Sequence, residues 1–196
     1  MKGINIFLAP GFEDVEATGT FDALKRAGID VRLVGMSEEP FVRSSHGITI
    51  AVDSHVADLV SGHEGTDGTD IMIFPGGMPG TRNLASDTGL ISLMKEHYAA
   101  GGSLAAICAA PGLVLGQLDG LEGVEFTCFE GFQDLPVSKG AVYNPKPACS
   151  CETAPGRRII TGRSAGNALA FAFEIIRFLK GDGAVDKVRA GMYLEQ

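Results

Sequence analysis

The 196-residue chain is 45% hydrophobic and 20% charged, globular proportions that suit about one ordinary domain with its own core. Its 24 acidic and 16 basic residues leave a net charge of −8, which repels polyphosphate and anionic lipid and argues against nucleic-acid or membrane-surface binding. The 27 glycines follow no three-residue period, so they mark tight turns rather than a collagen-like rod.

The apolar run Ile4–Pro10 is followed by Glu13, Asp14 and Glu16, which breaks any signal-peptide pattern, and the most apolar stretch, Ala165–Leu179, contains Glu174 and Arg177. A soluble, cytoplasmic protein is expected. Cys108, Cys128, Cys149 and Cys151 are too few and too irregular for a secreted disulfide framework, and no zinc spacing accompanies them. Free thiols are the reading, with no metal and no cofactor.

Short apolar runs alternate with helical patterns, the signature of an α/β fold with a mostly parallel sheet. Ile4–Ala9 reads as a buried strand, Glu13–Ala27 as a helix stopped at Ala27-Gly28, and Asp30–Gly35 as the next strand. Gly47–Val52 reads as a further strand and the polar stretch Ser61–Gly68 as a loop before the strand Asp70–Phe74. Asp87–Ala100 fits a helix, Ser103–Ile107 a strand, and Ala109–Gln117 a helix starting directly after Cys108. Glu125–Thr127 reads as a short strand, Phe129–Leu135 fits neither template, and Val137–Glu152, broken by Pro145 and Pro147, reads as an excursion with at most edge strands. Arg158–Thr161 returns to the sheet, Ser164–Leu179 is a helix apolar enough to be largely buried, and Gly183–Gly191 is a last short helix. The whole, residues 1–196, reads as one domain.

In such a fold chemistry gathers beyond the C-terminal strand ends. The segment Ala106-Ile107-Cys108-Ala109-Ala110 sets a reactive side chain among small neighbours at a strand-to-helix junction, the pattern of a nucleophile elbow. A helix N-terminus there would favour thiolate, making Cys108 the most acidic of the four thiols. Gly76 and Gly77, in Phe74-Pro75-Gly76-Gly77-Met78-Pro79-Gly80, match no nucleotide-binding spacing but could join the N–H of Ala109 as oxyanion donors. Glu13 and Asp14 are read as acids complementing the helix dipole, whereas Glu16, flanked by Val15 and Ala17, is the acid drawn over the sheet end. Buried there, its carboxyl would stay neutral and donate to a thiolate. His97 is read as facing water, His55 and His63 as loop residues, and Cys149 and Cys151 as packing neighbours on one strand face.

The motifs GFEDVEA around Glu16, LKRAGIDV at Leu24–Val31, FPGGMPG at Phe74–Gly80, LAAICAAPGLV at Leu104–Val114 and IITGRSAGNALAFAFEII at Ile159–Ile176 together resemble the ThiJ/PfpI superfamily, in its branch of Parkinson-associated protein deglycases and glyoxalase III enzymes. That likeness implies a flavodoxin-like three-layer sandwich, a homodimer, Cys108 as nucleophile or oxidation-sensitive thiol, and Glu16 as its protonated partner. The implied substrate is a small reactive carbonyl such as methylglyoxal, or a glycated protein. The alternative is a redox sensor or chaperone using Cys108 oxidation without turnover. Peptidase members carry histidine where this chain has Ala109, which disfavours proteolysis. Where relatives often carry histidine the position matches Cys128, which would resolve an oxidised Cys108 as a disulfide or else leave it as sulfinate. An arginine that relatives contribute matches His46 here, with Arg26 and Arg43 as substitutes.

Overall fold

The computed structural model describes residues 1–59 and 65–194, so His63 and residues 61–64 of the predicted loop lie outside it. The first unit is β1 (Ile4–Leu8), α1 (Asp14–Arg26) and β2 (Val31–Gly35), followed by a hairpin of β3 (Phe41–Arg43) and β4 (Thr49–Ala51) and then β5 (Ser54–His55) and α2 (Val56–Leu59). Next come β6 (Ile71–Phe74), α3 (Gly80–Ser86), α4 (Thr88–Ala99), β7 (Ser103–Ile107) and α5 (Ala110–Leu113). After a 3-10 turn at Leu115–Gln117 the chain forms β8 (Glu125–Phe126), α6 (Asp134–Ser138), β9 (Val142–Tyr143), β10 (Ala148–Ala154), β11 (Arg157–Gly162), α7 (Ala168–Lys180) and α8 (Asp182–Gly191).

Seven strands form one sheet in the order β10-β11-β7-β6-β1-β2-β5. All neighbours are parallel except β10, which runs antiparallel to β11 and shifts register between Glu152 and Ala154. Strand period two divides the core in two. Ile4, Ile6, Leu8, Ile71, Ile73, Ala105 and Ile107 pack under α1, α7 and α8, while Phe7, Met72, Phe74, Leu104 and Ala106 pack under α3, α4 and α5. On the second face the Phe7 and Phe74 rings stack 5.4 Å apart, tying β1 to β6.

Several expectations need correction. Gly47–Val52 does form a strand, but it pairs with Phe41–Arg43 in a hairpin outside the main sheet, and His55 sits in the two-residue edge strand. Glu125–Phe126 also leaves the main sheet, pairing with Val142–Tyr143. The helix expected from Ser164 begins at Ala168 after a 3-10 turn, and the one expected over Ala109–Gln117 is four residues of α5 followed by another 3-10 turn. His97 does not face water. It is wholly buried, with Nε2 at 3.1 Å from the carbonyls of both Asp70 and Ser103, and burial pushes its pKa down to about 4. Among the described residues no helix is long and apolar enough to cross a membrane.

Candidate active site

The chain order reverses about β1: β2 and β5 lie on one side of it, β6 and β7 on the other. Such a switch point opens a crevice at the C-terminal strand ends. Three connections meet there. The one after β1 starts α1 and carries Glu16, that after β6 is Pro75-Gly76-Gly77, and that after β7 is Cys108.

Cys108 has φ 65°, a left-handed backbone that costs a non-glycine residue about 1–3 kcal/mol. Its N–H donates to the Gly162 carbonyl at 3.0 Å, and its own carbonyl accepts from Phe129 N–H at 2.8 Å, so neighbouring segments hold the strained turn from both sides. The turn throws a half-buried side chain outward, and all four cysteines are free.

Glu16 is 1% exposed. The Glu13 side chain caps α1 by accepting from the Glu16 N–H at 2.7 Å, which fixes the first turn and directs the Glu16 carboxyl toward the thiol. Its Oε2 accepts from the Gly76 N–H at 2.7 Å and hydrogen-bonds with Cys108, while Oε1 is buried without a partner. Gly76 is required by sterics: a Cβ there would lie 2.6 Å from both Cys108 Cβ and Glu16 Oε2. Gly77 has φ 92°, and a Cβ on it would lie 2.3 Å from the Glu13 nitrogen. Of the three backbone donors expected, Gly77 and Ala109 hydrogen-bond the sulfur. Gly76 does not; its N–H is committed to Glu16.

Burial raises the Glu16 pKa to about 7, outweighing the Gly76 and Cys108 hydrogen bonds that lower it, and the Glu13 charge adds to the rise. Burial also pushes the Cys108 thiol up to about 12, reinforced by the Glu16 charge and against the donors at Ala109 and Gly77. The expectation of an unusually acidic thiol therefore fails, because a four-residue helix cannot offset desolvation and an adjacent carboxylate. What the arrangement creates is a pair that sheds its first proton near 7 and its second near 12. Between those values the pair holds one proton, and the reactive arrangement is thiolate beside carboxylic acid. Alkylation of Cys108 by iodoacetamide should consequently rise up to about pH 7 and then level off, as read by peptide mass mapping across pH. A rate still climbing tenfold per unit at pH 9 would show an isolated thiol instead.

The other predicted residues separate. Cys128 is fully buried in the core cluster on the other sheet face, where burial pushes its thiol up to about 12 against a hydrogen bond from Phe132. Cys108 is half-buried at its strand end and Phe129, the residue after Cys128, donates its N–H to the Cys108 carbonyl at 2.8 Å, so the two cysteines are close in the backbone but differ in access, the Cys128 side chain being wholly enclosed. Arg26 is held by Asp22 at 2.7 Å at the far end of α1, about 15 Å along the helix from Glu16 at 1.5 Å per residue, and is not part of the site. Arg43 is exposed on the hairpin, its carbonyl accepting from the Gly11 N–H. His46 is exposed, but its Nδ1 lies 2.7 Å from Asp14 Oδ2.

Asp14 is the residue the sequence reading undervalued. It is buried, accepts from Ser44 Oγ at 2.5 Å, and so clamps the β3–β4 hairpin to the start of α1. Burial raises its pKa, but the hydrogen bonds from Ser44 and His46 outweigh that and leave it lowered. Its partners lie about thirty residues away, beyond any local pattern. Glu13, Asp14 and His46 bring potential ligand atoms within 4.8 Å of one another, yet both Asp14 oxygens are already occupied by Ser44 and His46.

A model of the DJ-1/PfpI family matches residues 2–178. The chain belongs to the DJ-1/PfpI family. Among family members it is 32% identical over 181 residues to the protein named glutathione-independent glyoxalase DJR-1.2 of Caenorhabditis elegans, covering 92% of this chain and 90% of that one. It is 30% identical over 200 residues to DJ-1 homolog A of Arabidopsis thaliana, of which it spans about half the length (47%), with 98% of this chain covered. The solved structure of a DJ-1 superfamily protein from Salmonella typhimurium superposes with a TM-score of 0.83 at 30% identity, covering 100% of both chains. The family's flavodoxin-like α/β sandwich is therefore the fold of this chain.

Proposed function

We propose that the protein is a cysteine-dependent, glutathione-independent glyoxalase acting on small 2-oxoaldehydes such as methylglyoxal, with release of the same adducts from proteins as a related activity. The observation that carries this reading is the Glu16–Cys108 pair, a strained outward thiol facing a carboxyl whose pKa burial lifts to about 7. The relative named as a glyoxalase supports it.

In the reactive arrangement the Cys108 sulfur attacks the aldehyde carbon, and the carbonyl electron pair takes the Glu16 proton to give a hemithioacetal. The Glu16 carboxylate then removes the hydrogen from that carbon, which lies beside the ketone; the hydroxyl proton passes to the former ketone oxygen, and Glu16 returns the hydrogen to the neighbouring carbon as the first carbon becomes a carbonyl. A thioester of a 2-hydroxy acid results, and water hydrolyses it to the acid and the free thiol. Gly77 and Ala109 N–H groups, already directed at the sulfur, are placed to receive negative charge developing beside it. No net oxidation occurs, so the scheme requires no electron acceptor. Incubation with methylglyoxal and no glutathione should yield many equivalents of lactate per thiol, and Cys108→Ala should yield none. Stoichiometric consumption, or equal yields from both proteins, would remove the proposal.

A second reading, oxidation sensing, draws on one feature: the unpartnered Glu16 Oε1 beside the thiol, where a neutral carboxyl could donate to a sulfinate oxygen. Under mild peroxide we expect sulfinate on Cys108 and no Cys108–Cys128 disulfide, since the Cys128 thiol is wholly enclosed and burial keeps it protonated. Peptide mapping before and after reduction distinguishes the two products.

The family likeness also implies a homodimer. Val15 on α1 and Phe41 and Ile48 on the hairpin are all more than half exposed, an apolar surface a second copy would cover. Sedimentation velocity tests this, and a monomer at micromolar concentration would reject it.

A further inference from the structure

Displaced from the active site, Arg26 lines a groove of ≈450 Å³ where the C-terminal ends of α1 and α7 meet the first turns of α8. Lys180 and Lys187 face the same groove over a floor of Ala27, Ala184 and Val188, and among the described residues no carboxylate lines it. In a chain of net charge −8 that is a local reversal of sign.

Helix ends explain part of it. Arg26 and Lys180 occupy the last turns of α1 and α7, where cations complement the dipole, and each has a partner: Asp22 Oδ2 at 2.7 Å for Arg26 and the Gly28 carbonyl at 2.9 Å for Lys180. Lys187 has no such reason to be there. It sits in the second turn of α8 and has no partner among the described residues. The neighbouring acid Asp182 is turned away, accepting from Arg177 at 2.7 Å. The first turn of α8 borders the groove at Gly183, where a Cβ would meet nothing within 4 Å, so that edge is open.

We propose that this groove binds the phosphate group of a small organic phosphate monoester. Lys187, without a partner of its own among the described residues, between Arg26 and Lys180 suits a dianion, and the volume exceeds what an inorganic ion fills. The apolar floor leaves room for the organic part. The inference is independent of the thiol chemistry.

Calorimetric titration of the full chain at low ionic strength, with inorganic phosphate and with phenyl phosphate as probes, tests it. Both should bind saturably, phenyl phosphate more tightly because of the Ala27, Ala184 and Val188 floor, and both more weakly as salt is raised. The double substitution Arg26→Gln with Lys187→Gln should weaken phenyl phosphate binding about tenfold. Both side chains are on the surface, and a melting curve matching wild type shows that the fold is kept. Its Cys108 alkylation rate should also match wild type, so failure of the groove and failure of the thiol reading are separate results. No saturable binding of either probe, or unchanged binding in the double variant, would overturn the proposal.

Discussion

Glu16→Gln should give a protein more stable than wild type at pH 7 and slower in turnover by about 10²–10⁴, the usual loss on removing a general acid–base group. The stability effect follows from linkage. An unfolded glutamate titrates near 4.5 and the folded one near 7, so between those values the native state holds a proton that the unfolded state has released. Stability from this group is complete below 4.5 and declines as pH rises to 7, by about 3 kcal/mol. Glutamine stays neutral, keeps an oxygen for the Gly76 N–H, and escapes that loss.

His97 works in the opposite sense over an overlapping range. Unfolded it titrates near 6.5, folded near 4, so its contribution is present above 6.5 and is lost as pH falls toward 4, by a similar ~3 kcal/mol. In wild type the two trends largely cancel between pH 4.5 and 6.5. Urea midpoints should therefore be nearly flat over that window for wild type and rise with pH in Glu16→Gln. They should fall with pH in His97→Gln, whose amide can still donate to the Asp70 and Ser103 carbonyls. Parallel profiles in all three proteins would show that neither group is perturbed as described.

Gly76→Ala should abolish most activity while leaving the fold intact. The added methyl would sit 2.6 Å from Cys108 Cβ and from Glu16 Oε2, so the two reacting groups must separate or the Pro75-Gly76-Gly77 turn must move. Either displacement also disrupts the 2.7 Å Gly76–Glu16 hydrogen bond. A shift of about 1 Å in a reacting group costs about a hundredfold, and at least that loss in lactate formation is expected. Wild-type rates would mean that the close approach at Gly76 has no catalytic consequence.

The sheet was legible because its central strands are short apolar runs with abrupt ends, as in Ile71–Phe74, stopped by Pro75-Gly76-Gly77, and Leu104–Ile107, stopped at Cys108. The elbow was legible for the same local reason. The burial of His97 was also readable: Leu90, Met94 and His97 repeat at i, i+4 and i+7 and all face the core. What could not be read depends on distant partners. The donor Gly76 gives to Glu16 rather than to sulfur, and Asp14 finds Ser44 and His46 across a hairpin whose pairing no local pattern specifies. Net proton affinity at Cys108 was misjudged because local sequence shows the helix start but not the desolvation imposed by three converging loops.

The sheet's two borders bear on how this molecule can misassemble. One border is β5, only two residues long, and the other is β10, whose register slips between Glu152 and Ala154 where Arg158 pairs with Glu152. A stray extended chain needs a straight row of free backbone groups to zip onto, and neither border supplies a long one. Conditions that loosen β10 from β11 would uncover β11, a regular strand with Ile159 and Ile160 at its centre, so detachment of that single outer strand is the step from which fibrous aggregation of this chain would start.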